Sequence, residues 1–98
     1  MWLLVLFDLP TTEDATRKAA NRFRRDLRNL GFERMQLSAY TRRCPGLTTT
    51  MMSKVRLVAP PYGNVCVPEL TDLQFEDIVR LDAGRTVVFE KPKRLVSF

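Results

Sequence analysis

The chain has no histidine and only two cysteines among its 98 residues. Without an imidazole, the commonest general base is missing, a zinc site cannot be completed with His ligands, and Cys–His thiol catalysis is excluded. Cys44 and Cys66 lie far apart with no C-x-x-C pattern, so both read as ordinary buried or half-buried thiols of a reducing compartment. No stretch approaches the roughly 20 apolar residues that cross a bilayer. The opening apolar run is cut short by Asp8, and no basic segment or cleavage site precedes it. Internal repeats, linkers and low-complexity segments are also missing. These absences lead us to expect a soluble, unprocessed, cytoplasmic protein with no membrane partner.

Two surpluses stand out in what remains. A hydrophobic fraction of 45% in 98 residues supports one domain with a real but small core, which dimerisation would enlarge. Sixteen Lys plus Arg against eleven Asp plus Glu leave a net charge of +5. Most of these cations are arginine, whose planar fork grips phosphate through two N–H bonds, so a nucleic-acid backbone is the expected polyanionic partner.

The order of elements follows from periodicity and punctuation. Trp2 to Phe7 is a near-continuous apolar strand ending in Asp8, ahead of Leu9-Pro10-Thr11-Thr12. Thr11 and Asp14 resemble a capping box, after which Thr16, Ala20, Phe23, Leu27 and Leu30 recur at helical spacing until Gly31 stops them. Phe32 to Cys44 holds strand residues that we divide in two, closed by Pro45-Gly46. Leu47 to Ala59 reads as a second helix, capped by a hydroxyl of Thr48 to Thr50 and terminated by Pro60-Pro61. Val65 to Leu70 is a strand whose Pro68 marks a sheet edge or bulge, and Thr71 to Gln74 is a short capped turn. Phe75 to Leu81 is expected to be a further strand, with extended pieces at Thr86–Phe89 and Arg94–Phe98.

This succession is the α+β, ferredoxin-like βαββαβ plan: a four-stranded antiparallel sheet with two helices on one face, plus a C-terminal extended strand. Residues 1–84 form the expected domain and 85–98 its extension, used for strand exchange or partner docking. Such a fold hosts many functions, so chemistry must come from particular residues. Asp8 is the foremost of these. A carboxylate emerging at the end of a central strand can meet a metal, a phosphate ester or another subunit; the plainer alternative is that it accepts backbone N–H bonds from the turn that follows.

Three stretches together carry a family resemblance: Val5-Leu6-Phe7-Asp8-Leu9-Pro10, Gly31-Phe32-Glu33-Arg34-Met35-Gln36-Leu37-Ser38-Ala39-Tyr40-Thr41-Arg42, and Leu70-Thr71-Asp72-Leu73-Gln74-Phe75. In combination they resemble the small CRISPR-associated Cas-two family of prokaryotes. The resemblance implies a ferredoxin-like homodimer that serves spacer acquisition on double-stranded DNA, flanked by subunits of the Cas-one integrase. It also implies a magnesium-dependent endonuclease activity on RNA or DNA through the acid matching Asp8, which would be both catalytic residue and metal ligand. Mg2+ binds through one or two carboxylates plus waters and phosphates, so a lone Asp8 needs its copy across a two-fold axis, with Ser38, Tyr40 or Arg42 orienting phosphate.

For sequence-independent DNA binding, the candidates are Arg17, Arg24 and Arg28 on the first helix and Arg42 and Arg43 after the second strand region. Two function classes therefore stand side by side: a dimeric DNA-binding scaffold and a metal-dependent nuclease. A base-stacking RNA-binding module fits less well, since Tyr40 stands nearly alone where such modules need an aromatic pair.

Overall fold

Alternation along the first strand organises the molecule. In the computed structural model, which describes residues 1–87 apart from the side chains of Asp82 and Val87, β1 (Trp2–Asp8) runs through the centre of the main sheet. Its odd residues Leu3, Val5 and Phe7, followed by Leu9, are buried in a core that also holds Ala20, Phe23 and Leu27 of α1 (Asp14–Asn29). The even residues point the other way, because successive strand side chains take opposite faces. Leu4 is half-buried, while Leu6 and Asp8 are exposed.

The remaining elements are β2 (Glu33–Gln36), β3 (Ala39–Arg43), α2 (Thr49–Val58), β4 (Asn64–Cys66), β5 (Glu69–Leu70), α3 (Asp72–Glu76), β6 (Arg80–Asp82) and β7 (Arg85–Val87). The main sheet has the order β2-β3-β1-β4, with β5 also on β1, and its pairings are antiparallel. This is the ferredoxin-like arrangement. On one side of β1 the register runs from Trp2 opposite Arg43 to Leu6 opposite Ala39. On the other side Leu6, Phe7 and Asp8 face Cys66, Val65 and Asn64, and Trp2 and Leu3 face Leu70 and Glu69. Strands β4 and β5 are therefore one edge strand interrupted at Pro68, whose carbonyl still accepts from Leu4 N–H at 3.1 Å. The proline reading holds: a residue with no N–H to give is tolerated where its outer side pairs with nothing.

Three boundaries differ from expectation. The first helix begins with Glu13, not Thr11, as its N-cap: the Glu13 N–H donates to Thr16 Oγ1 at 3.3 Å, and that hydroxyl donates to the Glu13 carbonyl at 2.9 Å. Pro10 and the exposed threonines after it remain in the connection. Thr48 sits at the N-cap of α2, but its hydroxyl goes across to Glu69 Oε1 instead of to its own helix. The expected strand over Phe75–Leu81 is overturned at its start, since Phe75 belongs to α3 and extended pairing begins only at Arg80. The cause is local. Thr71 Oγ1 accepts from Gln74 N–H at 3.1 Å and Gln74 Oε1 accepts from Thr71 N–H at 2.9 Å, a reciprocal capping box that winds the chain into a helical turn. Burial then fixes it, because the Phe75 ring stacks on Trp2 with centroids 3.9 Å apart. Strands β6 and β7 pair with each other around Ala83-Gly84, both at positive φ. The expected strand Arg94–Phe98 lies outside the described residues, as does the end of the piece expected to reach Phe89.

Gly31 ends α1 at φ +91°, and a Cβ there would lie 2.9 Å from Arg42 Nε, which itself donates to the Leu30 carbonyl at 2.9 Å. A β3 guanidinium thus closes the last turn of α1, and only glycine leaves room for it. Replacing Gly31 by Ala is expected to lower stability by about 1–2 kcal/mol through left-handed backbone strain and displacement of Arg42. A urea titration checks this: the midpoint should fall while the slope m stays unchanged.

Candidate functional site

Asp8 is the last residue of the central strand and shares the face of Leu6, opposite helices α1 and α2. Around it, Leu6, Gln36, Ser38, Ala39, Asn64 and Cys66 line an open depression of about 370 Å³. The position is fixed from both sides. Ser38, in the turn between β2 and β3, accepts from Phe7 N–H at 3.1 Å. Gly63, at φ +78°, brings the β4 loop so close that an added Cβ would sit 2.8 Å from the Asp8 carbonyl oxygen and 2.7 Å from the Leu9 side chain. The Asp8 carboxylate is exposed, and among the described residues nothing donates to it. Its alternative role as acceptor of turn N–H groups is therefore not taken up. All of its lone pairs are open to solvent, a metal or a partner.

As a metal position the site is half-equipped. No group of three or more His, Cys, Asp or Glu side chains converges among the described residues. Asp8 offers one carboxylate, with neutral oxygens of Ser38, Asn64 and Gln36 on the walls of the same depression. That donor set fits the hard, oxygen-seeking Mg2+ only when waters, a phosphate or a second carboxylate complete the shell.

The other predicted phosphate-orienting residues are placed differently. Tyr40 is fully buried on the helix face, 6.0 Å from the Phe7 ring centroid, so it cannot reach a phosphate at the Asp8 depression. Arg42 is committed: besides the Leu30 carbonyl, it donates from Nη1 to the Arg43 carbonyl at 3.2 Å and lies over Cys44. Ser38 alone stays beside Asp8.

The five arginines named for DNA binding divide by engagement. Arg24 donates from Nε to the Leu37 carbonyl at 2.9 Å and from Nη1 to Asn21 Oδ1 at 3.1 Å, and stands 5.4 Å over the Phe7 ring; it ties α1 to the β2–β3 turn. Arg42 caps α1. Arg43 faces Asp72 at 3.7 Å, and Asp72 also accepts from Trp2 Nε1 at 2.8 Å, so this cluster clamps α3 to the sheet. Arg17 pairs with Asp14 on the helix surface, an interaction of at most a few tenths of a kcal/mol. Arg28 is exposed, and its side chain makes no hydrogen bond or ion pair with any described residue.

Sequence reasoning passed over a second set. Lys18, Arg22 and Arg25 are exposed and likewise unpaired among the described residues. They lie roughly opposite the buried Ala20–Phe23–Leu27 stripe, as their i, i+4, i+7 spacing requires. That spacing was the available signal. Like charges so placed weaken a helix by about 0.2–0.5 kcal/mol per pair, so α1 carries them at a cost. The clamp at Asp72 was missed as well, because nothing in a linear reading joins Trp2 to a residue 70 positions away.

The fold and this arrangement define a class: ferredoxin-like α+β domains with one exposed carboxylate at the end of the central strand and a surplus of arginine. The chain belongs to the Cas2 family, whose sequence model, described as CRISPR associated protein Cas2, matches residues 1–78. A relative named CRISPR-associated endoribonuclease Cas2 in Parvibaculum lavamentivorans is 38% identical over 101 residues, covering 100% of both chains. The protein of that name in Campylobacter jejuni is 38% identical over 93 residues, 93% of this chain but 64% of its own length. That of Flavobacterium psychrophilum is 33% identical over 96 residues, 96% of this chain and 84% of its own. No described helix is long and apolar enough to cross a membrane.

Tyr40 supplies a test that separates packing from chemistry. Its hydroxyl is buried without a hydrogen-bond partner, so Tyr40→Phe keeps the ring and removes an uncompensated polar atom. The change is expected to stabilise the protein by about 1 kcal/mol, raising the melting temperature by roughly 4–8 °C. A calorimetric scan of the two proteins checks it.

Proposed function

We propose that this protein is the dimeric scaffold of a CRISPR adaptation complex, holding double-stranded DNA by its phosphates while a Cas-one integrase subunit performs the joining chemistry. The observation that carries this reading is an imbalance. One exposed carboxylate stands in its depression with no second acid and no histidine, the exposed Cys66 being its one thiol neighbour, whereas α1 and α2 together present many cations. Binding is amply provided for and catalysis is not. Dimerisation is supported by apolar side chains left exposed away from the helices: Leu6 on the sheet, and Val79 and Leu81 at the β6–β7 hairpin, 70% and 62% exposed. A two-stranded hairpin is marginal by itself and gains stability when another sheet receives it.

The relatives' name, endoribonuclease, supports a second reading in which Asp8 acts in phosphodiester hydrolysis. There a Mg2+ held by Asp8 of two subunits would neutralise phosphate charge and make its bound water acidic enough to attack. Within this chain Asp8 would hold the ion, while Ser38 and Asn64 would orient water or phosphate from the walls of the depression. With no histidine in the sequence, the usual side-chain general base is missing.

The substitution Asp8→Ala distinguishes the two. We expect a folded protein, since Asp8 is exposed and pairs through its backbone, with magnesium-dependent cleavage of RNA or DNA lost and spacer acquisition in cells retained. Loss of acquisition by a variant that keeps wild-type melting and dimer mass would reject the scaffold reading.

A further inference from the structure

We infer that the sheet face away from α1 and α2 carries a second site, at the Trp2 end of β1, which binds an unpaired guanine base between Glu33, Thr41 and Arg43. The site goes beyond the scaffold and nuclease readings and rests on neither.

Antiparallel register brings the three polar side chains together. Trp2 lies opposite Arg43, Leu4 opposite Thr41, and Thr41 in turn opposite Glu33. Directly opposed residues share a face of a sheet, so Glu33 and Arg43 flank Thr41 on the side of Trp2 and Leu4. With Trp2, Gly31 and Arg42 they line a cavity of about 230 Å³. The strand from Trp2 to Asp8 is about 20 Å long, and no residue of this cavity lines the Asp8 depression.

Each of the three has hydrogen-bonding capacity that the fold leaves unused. Thr41 is 8% exposed, and its hydroxyl is buried without a partner, a deficit that folded proteins rarely leave standing. The exposed Glu33 carboxylate accepts from no described residue. Arg43 stands 3.7 Å from Asp72, close enough for an ion pair and too far for a hydrogen bond, so its N–H groups remain available. Trp2 is already fixed, by the stack on Phe75 and the bond to Asp72, and forms a rigid aromatic wall.

The lining combines one carboxylate with two guanidiniums. A simple cation meets Arg42 and Arg43 there, and a simple anion meets Glu33, so neither is favoured. A neutral ligand that donates along one edge and accepts along another uses both signs. Guanine is such a ligand: N1–H and the N2 amino group offer two adjacent donors to the two oxygens of a carboxylate, while O6 and N7 accept both arms of an arginine. Adenine, cytosine and uracil lack that donor pair, and in a duplex the donors are already paired, so the base must be single. The cavity is smaller than the roughly 300–1,000 Å³ of pockets for drug-sized ligands and suits one planar ring system beside Trp2. Two arginines against one acid also tolerate the phosphate that such a base brings with it.

Trp2 is the single tryptophan of the chain, so its fluorescence reports on this cavity. The test titrates the full-length protein with the monophosphates of guanosine, adenosine, cytidine and uridine, and with the single-stranded RNAs UUGU and UUUU. We expect saturable quenching by guanosine monophosphate, by UUGU or by both, at least about tenfold tighter than by the matched ligands without guanine. Binding of the mononucleotide identifies a free nucleotide as sufficient; binding of UUGU alone identifies a base presented by a strand. Glu33→Gln puts an amino group against a guanine donor and should weaken guanine binding at least about tenfold, with the urea midpoint unchanged because Glu33 is exposed. Thr41→Val removes the orphaned hydroxyl at constant shape, so guanine affinity should fall while the melting temperature does not. Equal affinity for the four nucleotides, no quenching by either guanine ligand at millimolar concentration, or wild-type guanine affinity in Glu33→Gln or Thr41→Val would overturn the inference.

Discussion

Everything in this molecule hangs on the two-faced character of β1. Leu3, Val5 and Phe7 are buried beneath the helices while β3 and the β4–β5 edge saturate the backbone on either side. Each such side chain contributes about 1.5–3 kcal/mol of burial, and a one-residue slip of register would exchange the whole set for Leu4, Leu6 and Asp8. Burying a carboxylate without a partner costs several kcal/mol, so the slip is forbidden twice over. The alternation that builds the core is therefore also what presents Asp8 to solvent.

A second constraint is the use of arginine as a structural tie. The C-terminal carbonyls of a helix need donors, and a small domain has few spare ones. Arg42 reaches back from β3 to Leu30, Arg24 reaches from α1 to Leu37, and each end of the β2–β3 hairpin is fastened to the helix layer by one guanidinium. Gly31 is where it is because Arg42 occupies the space a Cβ would take. Part of the basic surplus that first points to nucleic acid is accordingly spent on holding the fold together.

That division explains what was legible in the sequence. Period-two and period-3.6 patterns are local, so the strand–helix alternation, the split of Phe32–Cys44 into β2 and β3, and the edge position of Pro68 were all readable. Asp8 was legible because a charge ending an apolar strand is conspicuous in any register. Phe75 was misread because Ile78, Val79 and Leu81 after it suit a strand, while the deciding interactions, a capping box and a stack on Trp2, include one that spans most of the chain. The roles of the individual arginines were equally hidden. Whether a guanidinium meets a carbonyl or water depends on distances between elements, and spacing alone reports only which helix face it occupies.

The two functional readings, cutting and carrying, make opposite electrostatic demands. A metal-assisted site gathers carboxylates, which repel a phosphate backbone until the ion is present; a duplex platform gathers cations, which would hold a metal away. In a domain this thin the two requirements compete unless something keeps them apart. The sheet does so here, with unpaired cations on the helices and the free carboxylate on the opposite face. Any chemistry at Asp8 must therefore act on a substrate that approaches the open sheet face, where the exposed Leu6 and the acids Asp8 and Glu33 favour a second protein surface over a polyanion. Covering that face with another copy of the chain would close Asp8 off from long nucleic acid, so tight pairing through this face would work against cleavage there.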